Sequence, residues 1–421
     1  MHKILVITLP PQWGGGVYTQ TMGFCKHLQS ESEFEIRLAY ANSGDLNGTT
    51  RGFVKRGEKV CVDHVEGFPF YAIRSPFPAI EFSRYTHNET WGELLGWSDS
   101  VQVIGGGVAH GFPAAGSKTP YALWVASTRE ADGAEFYRGS GFLRKRWLDV
   151  QYHFIRKLET ETLRDASKIF VVSEYTRQLL KNRYDLKIEK EDCIAIPVDT
   201  DVFKPDATIS KQHTTICYVG RVNDPRKQVT LLLAALRRVR EKGIECFLKL
   251  AGEKPGPLLQ ELVRRLALEQ WVDFLGYLPS AELPRFYQSS LFSVLPSQEE
   301  GQGIVVLEAM ACGLPVVATR CGGPESLIRD GQDGFLVANG EEEELAERME
   351  FLIKRPEVAL AMGQKARQRV VEDYTPGKAY SRIISFHQAV RRREGDVENS
   401  EIDQPQARFL DRHVRASILK H

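Results

Sequence analysis

The pattern that most restricts this chain is the return of a short apolar run, closed by Gly, Pro or Ser and followed by a helix-length stretch. Ile4–Ile7 is the first such run. The residues after it place Val17, Thr21, Phe24 and Leu28 on one helical face. "FEIRLAY", "VQVIGGG", "YALWVAS", "KIFVVSE" and "CIAIPV" read as further strands, with helical stretches such as Arg144–Ala166 between some of them. Short apolar strands alternating with helices build a parallel sheet covered on both faces. The pattern restarts beyond "PVDTDVFKPDATISKQH", a polar segment without helical periodicity. "TICYVG", "CFLKLAG", "VDFLGY", "LFSVLPS" and "PVVAT" are the next strands. "TLLLAALRRVREKG", "LLQELVRRLALEQ" and "AELPRFYQSS" are the helices between them, and the chain is helical and charge-rich from about Glu341.

At 421 residues the chain is too long for one ordinary core. The reading is α/β, with two tandem, doubly wound domains facing across a cleft. The N-terminal domain takes 1–203, a linker 204–213 and the C-terminal domain 214–375. A helix over 376–395 packs back on the N-terminal domain, and 396–421 forms a poorly ordered tail. In such sheets ligands sit beyond the carboxyl ends of the strands.

Formal net charge is zero, which gives no reason to invoke nucleic acid. The seven cysteines include no CxxC pair, and several lie in apolar runs, as expected of reduced thiols in a cytoplasmic protein. The N-terminal apolar run is too short for a signal peptide, and no run is long enough to span a bilayer. The sequons at Asn47 and Asn88 are then chance matches.

"QEEGQGIVVLEAMACG" follows the strand "LFSVLPS", with a helix opening near Gly303. A helix N-terminus presents unpaired N–H groups and partial positive charge to an anion, and glycine lets that anion approach closely. Glu300 and Glu308 flank this start, about 12 Å apart if the segment were wholly helical. That is roughly the span from hexose to ribose in a nucleotide-sugar, and carboxylates accept pairs of sugar hydroxyls. On spacing alone, a loop acid and a solvated helix acid explain the pair equally well. Arg221 and Lys227 lie in the loop after "TICYVG", where fixed cations would stabilise a departing diphosphate without a metal. "GGGVY", Gly14 to Tyr18, opens the first helix and offers backbone N–H groups from the other domain; a plain tight turn is the alternative.

Taken together, Arg221 with Lys227, "SQEEGQGIVVLEAMACGLPVVAT" and "CGGPESLIRDGQDGFLV" closely resemble the retaining glycosyltransferases of family 4, with the GT-B fold. "VVSEYTRQLL" and "IPVDTDVFKP" resemble that family's approach to its second domain. The resemblance covers about residues 1–385. It implies transfer of a hexose from a nucleoside diphosphate sugar to a hydroxyl on a glycan, a lipid-linked carrier or a small molecule, with retention of configuration. Glu300 would contact the donor sugar and Glu308 the ribose. Gly303, Ile304 and Val305 would give N–H groups to the diphosphate. Arg221 and Lys227 would neutralise it, Gly15 and Gly16 would approach it, and Gly276, Tyr277 and Leu278 would border the base. In a front-face mechanism the leaving phosphate helps deprotonate the acceptor, so no protein nucleophile, cofactor or metal is expected.

Two positions depart from the family. Gln302 stands where an aromatic is usual. Ser127 and Thr128 stand where a strand-end histidine often lies, with His110 the nearest substitute beside a bland reading as a loop histidine. Asp199-Thr-Asp201 matches a metal-binding DxD pattern but sits in the interdomain segment and reads as structural. "GFPAAGSKT", Gly111 to Thr119, misses the phosphate-cradling register by one residue. "FLRKRWLDVQYHFIRKLE", Phe142 to Glu159, reads as a partly solvated helix or as one lying on an anionic membrane surface at the inner face. Within the fold the rival readings are a phosphorylase or hydrolase and a non-catalytic nucleotide-sugar-binding subunit. A nicotinamide oxidoreductase lacks its glycine fingerprint, since Thr19 occupies the third position.

Overall fold

Two open sheets organise the molecule. The computed structural model describes residues 1–11, 15–31, 33–42, 60–75, 80–131 and 141–400. In the N-terminal sheet, β1 (His2–Thr8) lies between β2 (Phe34–Asn42) and β5 (Ser100–Gly107), parallel to both. Beyond β5 come β6 (Tyr121–Ser127) and β7 (Lys168–Val171), also parallel. Beyond β2 comes β4 (Phe68–Arg74), which pairs with β3 (Val60–Val65) as an antiparallel edge hairpin. Its two-residue turn, Glu66–Gly67, has φ of 50° and 89°. That double left-handed turn matches the twist of the two strands.

The second sheet is wholly parallel. Its order is β10 (Val272–Gly276), β9 (Phe247–Ala251), β8 (Thr215–Val219), β11 (Phe292–Leu295), β12 (Val316–Thr319) and β13 (Gly334–Val337). Each sheet reverses its winding once, between β1 and β5 in the first and between β8 and β11 in the second. Loops leaving the carboxyl ends of such neighbours diverge and open a crevice.

Helices fill both faces. On one side of the N-terminal sheet, Phe24 and Leu28 of α1 (Gly15–Ser30) pack with Ile4, Val6 and Leu38. On the other, Trp91 and Leu94 of α2 (Glu89–Trp97) meet Leu5, Ile7 and Val103. Asn88 caps α2 by accepting from Trp91 N at 3.0 Å, which gives that sequon residue a structural use; Asn47 lies outside the described residues. Among the described residues no helix is long and apolar enough to cross a membrane.

The chain passes from the first domain to the second near Val198 and returns at Tyr374, where Val198 N donates to Tyr374 O at 3.0 Å. After the return, α12 (Pro376–Ser400) buries Tyr380, Ile383 and Ile384 in the N-terminal core. Its His387 is fully buried between Ser100 Oγ at 2.8 Å and Gln102 Oε1 at 3.2 Å. Burial holds the ring neutral, with its pKa pushed down to about 3.

Several local readings are corrected. "CIAIPV" forms no ladder: it runs extended and touches β7 through a single bridge, Val171 with Cys193. "KIFVVSE" is strand only to Val171, because Ser173 already caps α4 (Glu174–Tyr184) by accepting from Thr176 N. The helix over 258–270 is α6 (Pro257–Arg265) and stops before Ala267, whose φ is 53°. α12 continues past 395 to Ser400; the rest of the expected tail lies outside the described residues. The hairpin, α2 and β13 were not read from the sequence.

Ile383→Ala is expected to cost the N-terminal domain about 2–4 kcal/mol. The check is urea unfolding followed at Trp124, which lies 6.3 Å from Tyr380 between ring centroids. Its midpoint should fall while the C-terminal transition stays in place; unchanged unfolding at Trp124 would show that α12 does not belong to that core.

Candidate functional site

The loop after β8 and the loop after β11 leave adjacent strands at the switch point of the C-terminal sheet, so the fold alone brings them together. The first loop turns through a short 3₁₀ segment, Pro225–Lys227, capped by Asp224. Asp224 accepts from Arg226 N at 3.0 Å and pairs with Arg221 at 2.9 Å and Arg226 at 3.0 Å. Burial works against ionising this carboxyl, but Arg226 and Arg221 outweigh it and hold its pKa below the ordinary carboxylate value. Arg221 stays largely in solvent, its side chain 57% exposed.

Lys227 crosses to the second loop. Its Nζ donates to Glu300 Oε1 at 2.5 Å, and Ser297 Oγ donates to the same oxygen at 2.7 Å. The side chains of Lys227 and Glu300 are 15% and 12% exposed, so this pair is largely withdrawn from water. The loop backbone is held as well: Gln298 N donates to Arg226 O at 2.7 Å, Glu300 N to Cys321 O at 2.8 Å and Gly323 N to Glu300 O at 2.8 Å.

Three residues beyond Glu300, Gly303 adopts φ 83° and ψ 66° and launches α8 (Ile304–Ala311). A side chain resists that left-handed conformation, which explains glycine there. No side chain caps α8 at Gly303, three residues after Glu300.

Glu308 sits one helical turn deeper. It is the single polar residue of a helix whose Val306, Leu307, Ala309, Met310 and Ala311 are buried. Burial lifts its pKa to about 7, against the opposing hydrogen bond from Tyr287 Oη to Oε2 at 2.9 Å. Tyr287 comes from α7 (Leu283–Gln288). An acid kept in apolar surroundings with one hydrogen bond costs stability, and such costs concentrate at functional sites.

The same loop seats the N-terminal domain. A Cβ on Gly301 would fall 2.4 Å from Ala126 O, so only glycine fits this crossing. Ser173 Oγ donates to Gly301 O at 2.6 Å, and Tyr175 Oη to Glu299 Oε1 at 2.7 Å. Gln302 is buried and faces the interdomain segment: its Oε1 accepts from Ile196 N at 2.6 Å and its Nε2 donates to Ile196 O at 2.9 Å. It makes the two bonds a neighbouring strand would make, so this departure from the family pattern serves the domain junction.

Across the cleft, a methyl on Gly16 would lie 3.6 Å from Ile304 Cγ2, which brings the start of α1 to the start of α8. Gly15 opens α1, while Gly14 lies outside the described residues. His110 stands in the turn after β5, its Nδ1 3.2 Å from Gly107 O and its ring edge-on to Tyr85 at 5.2 Å. Ser127 closes β6, and Thr128 is buried. At the far end of the second sheet, Gly276 turns with φ 75°, Tyr277 is exposed with its hydroxyl 3.5 Å from Glu253, and Leu278 packs on the core. Asp199 accepts from Asp201 N and Val202 N at 2.9 and 3.2 Å, so it shapes a turn in the interdomain segment. Ser297, Asp224 and Tyr287 were not singled out from the sequence. Asp224 carries a local signal, an acid before Pro at a helical start, whereas the other two act through tertiary contacts.

Residues 199–369 match the family model "Glycosyl transferases group 1". A D-inositol 3-phosphate glycosyltransferase of Frankia alni is 29% identical over 216 residues, 47% of this chain and 53% of that protein. The chain spans about half the length of that curated relative. Two solved structures share the fold, two parallel-sheet α/β domains of the GT-B type. The sucrose-phosphate synthase of Thermosynechococcus elongatus has a TM-score of 0.73 at 17% identity, over 93% of this chain and 100% of that one. Anabaena HepE in complex with UDP has a TM-score of 0.69 at 15% identity, over 92% and 100%.

Glu308 gives the site a pH signature. The folded state holds its proton to about pH 7 and the unfolded chain only to 4.5, so this residue favours folding most below 4.5. That contribution declines as pH rises and is gone above about 7. Glu308→Gln is expected to be more stable than the parent at pH 8 and to unfold with a flatter pH profile between 5 and 8, a difference of about 1–3 kcal/mol in urea titrations. Parallel profiles for the two proteins would refute the raised pKa.

Proposed function

We propose that the chain is a retaining glycosyltransferase of family 4. It moves a hexose from a nucleoside diphosphate sugar to a hydroxyl acceptor without a metal. The observation that carries this reading is the Lys227–Glu300 pair at 2.5 Å beside the uncapped start of α8, with the start of α1 facing it. One cation, one carboxylate and a set of backbone amides at a sheet switch point suit a ligand with a sugar at one end and a diphosphate in the middle. Ammonium has three donors, so Lys227 can keep Glu300 and still bond an incoming phosphate oxygen. The amides of Gly303, Ile304 and Val305 receive the diphosphate, with Arg221 adding charge at the solvent edge and Gly15 and Gly16 closing from the other domain. Glu300 accepts from sugar hydroxyls and Glu308 from the ribose. Gly276, Tyr277 and Leu278 border the base.

In the transfer, the bond from the anomeric carbon to the β-phosphate oxygen breaks as the acceptor oxygen bonds that carbon on the same face. The acceptor proton passes to the leaving phosphate. Amides and cations fixed in place stabilise the charge growing on the diphosphate. His110, at the carboxyl end of β5, is the candidate contact for the sugar or acceptor from the N-terminal domain. The fold shared with HepE, whose structure holds UDP, makes uridine donors the first to try. The chain works in the cytoplasm.

The test is a thermal-shift panel of UDP-, GDP- and ADP-sugars with a chelator present, since a ligand bound only by the folded state raises apparent stability. One donor should stabilise the protein. Lys227→Ala should lower turnover of that donor by about a hundredfold or more and shrink its shift. Full turnover in that variant would remove Lys227 from the reaction, and donor binding without turnover on any acceptor or water would favour a non-catalytic subunit.

A further inference from the structure

The helix α3 (Phe142–Asp165) is inverted relative to an ordinary surface helix. Leu143, Trp147, Val150 and Phe154 follow one another at helical spacing and are 83%, 49%, 48% and 45% exposed. Phe142, at the first turn, is 77% exposed. The face turned inward carries Gln151 and Glu159 beside Ile155 and Leu163, all buried. Those two polar groups lock the helix in this roll. Gln151 Oε1 accepts from Glu81 N at 2.9 Å, and Glu159 accepts from Arg129 N at 3.0 Å and from Tyr184 Oη at 2.6 Å. Rolling the apolar stripe inward would leave these buried groups without their bonds.

We propose that this stripe is a docking surface for an anionic lipid bilayer. Arg144, Lys145, Arg146, Arg156 and Lys157 lie along residues 142–157, against Asp149 as the one acid. Arg146 and Lys157 fall on one flank of the stripe by helical spacing. Apolar side chains entering the headgroup boundary beside basic ones fit a membrane surface, and tryptophan is suited to that depth. A second copy laid on the same face would bring like charges together, which disfavours a self-interface. The stripe is also continuous with the cleft. Phe154 stacks on Phe82 at 4.8 Å, and Tyr85 of the same short turn meets the His110 ring. A bilayer on α3 would therefore lie beside the carboxyl end of β5. The docking surface goes beyond the transfer reaction and does not depend on it.

The experiment is co-sedimentation of the full chain with vesicles of phosphatidylcholine alone and of phosphatidylcholine containing about one-third phosphatidylserine. The protein should sediment with the anionic vesicles, less so as salt is raised, and weakly with neutral ones. Leu143→Asp combined with Val150→Asp should weaken that partition about tenfold or more, and Arg146→Glu with Lys157→Glu should weaken it on anionic vesicles alone. Unchanged thermal unfolding of both variants establishes that they fold. No sedimentation by the parent, equal sedimentation by the variants, or a parent dimer that the first variant dissolves would each overturn the proposal. Donor-induced thermal shifts of the same proteins report on the transferase reading separately.

Discussion

The ion pair between Lys227 and Glu300 is the contact on which the cleft of this protein turns. Each partner belongs to a loop leaving one of the two neighbouring strands where the C-terminal sheet changes direction. A largely buried ion pair is expensive to assemble and strongly destabilising when half of it is removed. Here the cost is met by structure on both sides. Ser297 adds a hydrogen bond to the carboxylate, and Gln298 ties the second loop to the backbone of the first. The two charges are thus held in place by the protein's own hydrogen bonds.

A few residues of the same loop serve two masters. Glu300 faces the cleft, while Gly301 and Gln302 hold the N-terminal domain through Ala126, Ser173 and Ile196. Gly303 then turns the chain into α8. The residues that hold the junction are thus one or two peptide units from the carboxylate and the helix start. The acid at the other end, Glu308, is insulated from this by the apolar helix around it.

The parallel strands were legible because a strand buried on both faces must be a continuous apolar run, as in "TICYV" and "VVAT". The same rule misled at "CIAIPV". That segment is apolar because it packs at the domain junction, but the side chain of Gln302 takes up the backbone bonds of Ile196 in place of a neighbouring strand. The Glu66–Gly67 hairpin carries a weak local signal, a single glycine, and its edge strand is broken as an apolar run by Asp63 and His64. At the cleft, Arg221, Lys227, Glu300 and Gly303 stand out in the sequence because charged residues and a glycine in loops that follow strands are a local pattern, and the fold brings Lys227 to Glu300 and turns the chain at Gly303. Tyr287 beneath Glu308 does not, since the two lie 21 positions apart and nothing between them links them until the chain folds. The role of the Gln302 amide is not legible locally, because its partner Ile196 lies far away in sequence.

The neighbouring crossings at Val198 and Tyr374 give the molecule an unusual pedigree on paper. The C-terminal domain enters and leaves through points one hydrogen bond apart, so in topological terms it is an insert carried by the N-terminal domain and α12. The family match, 199–369, lies inside those points. A cassette whose ends meet can be exchanged between lineages without cutting the host's core. The inserted half can then be inherited as a unit, while the host half diverges around it.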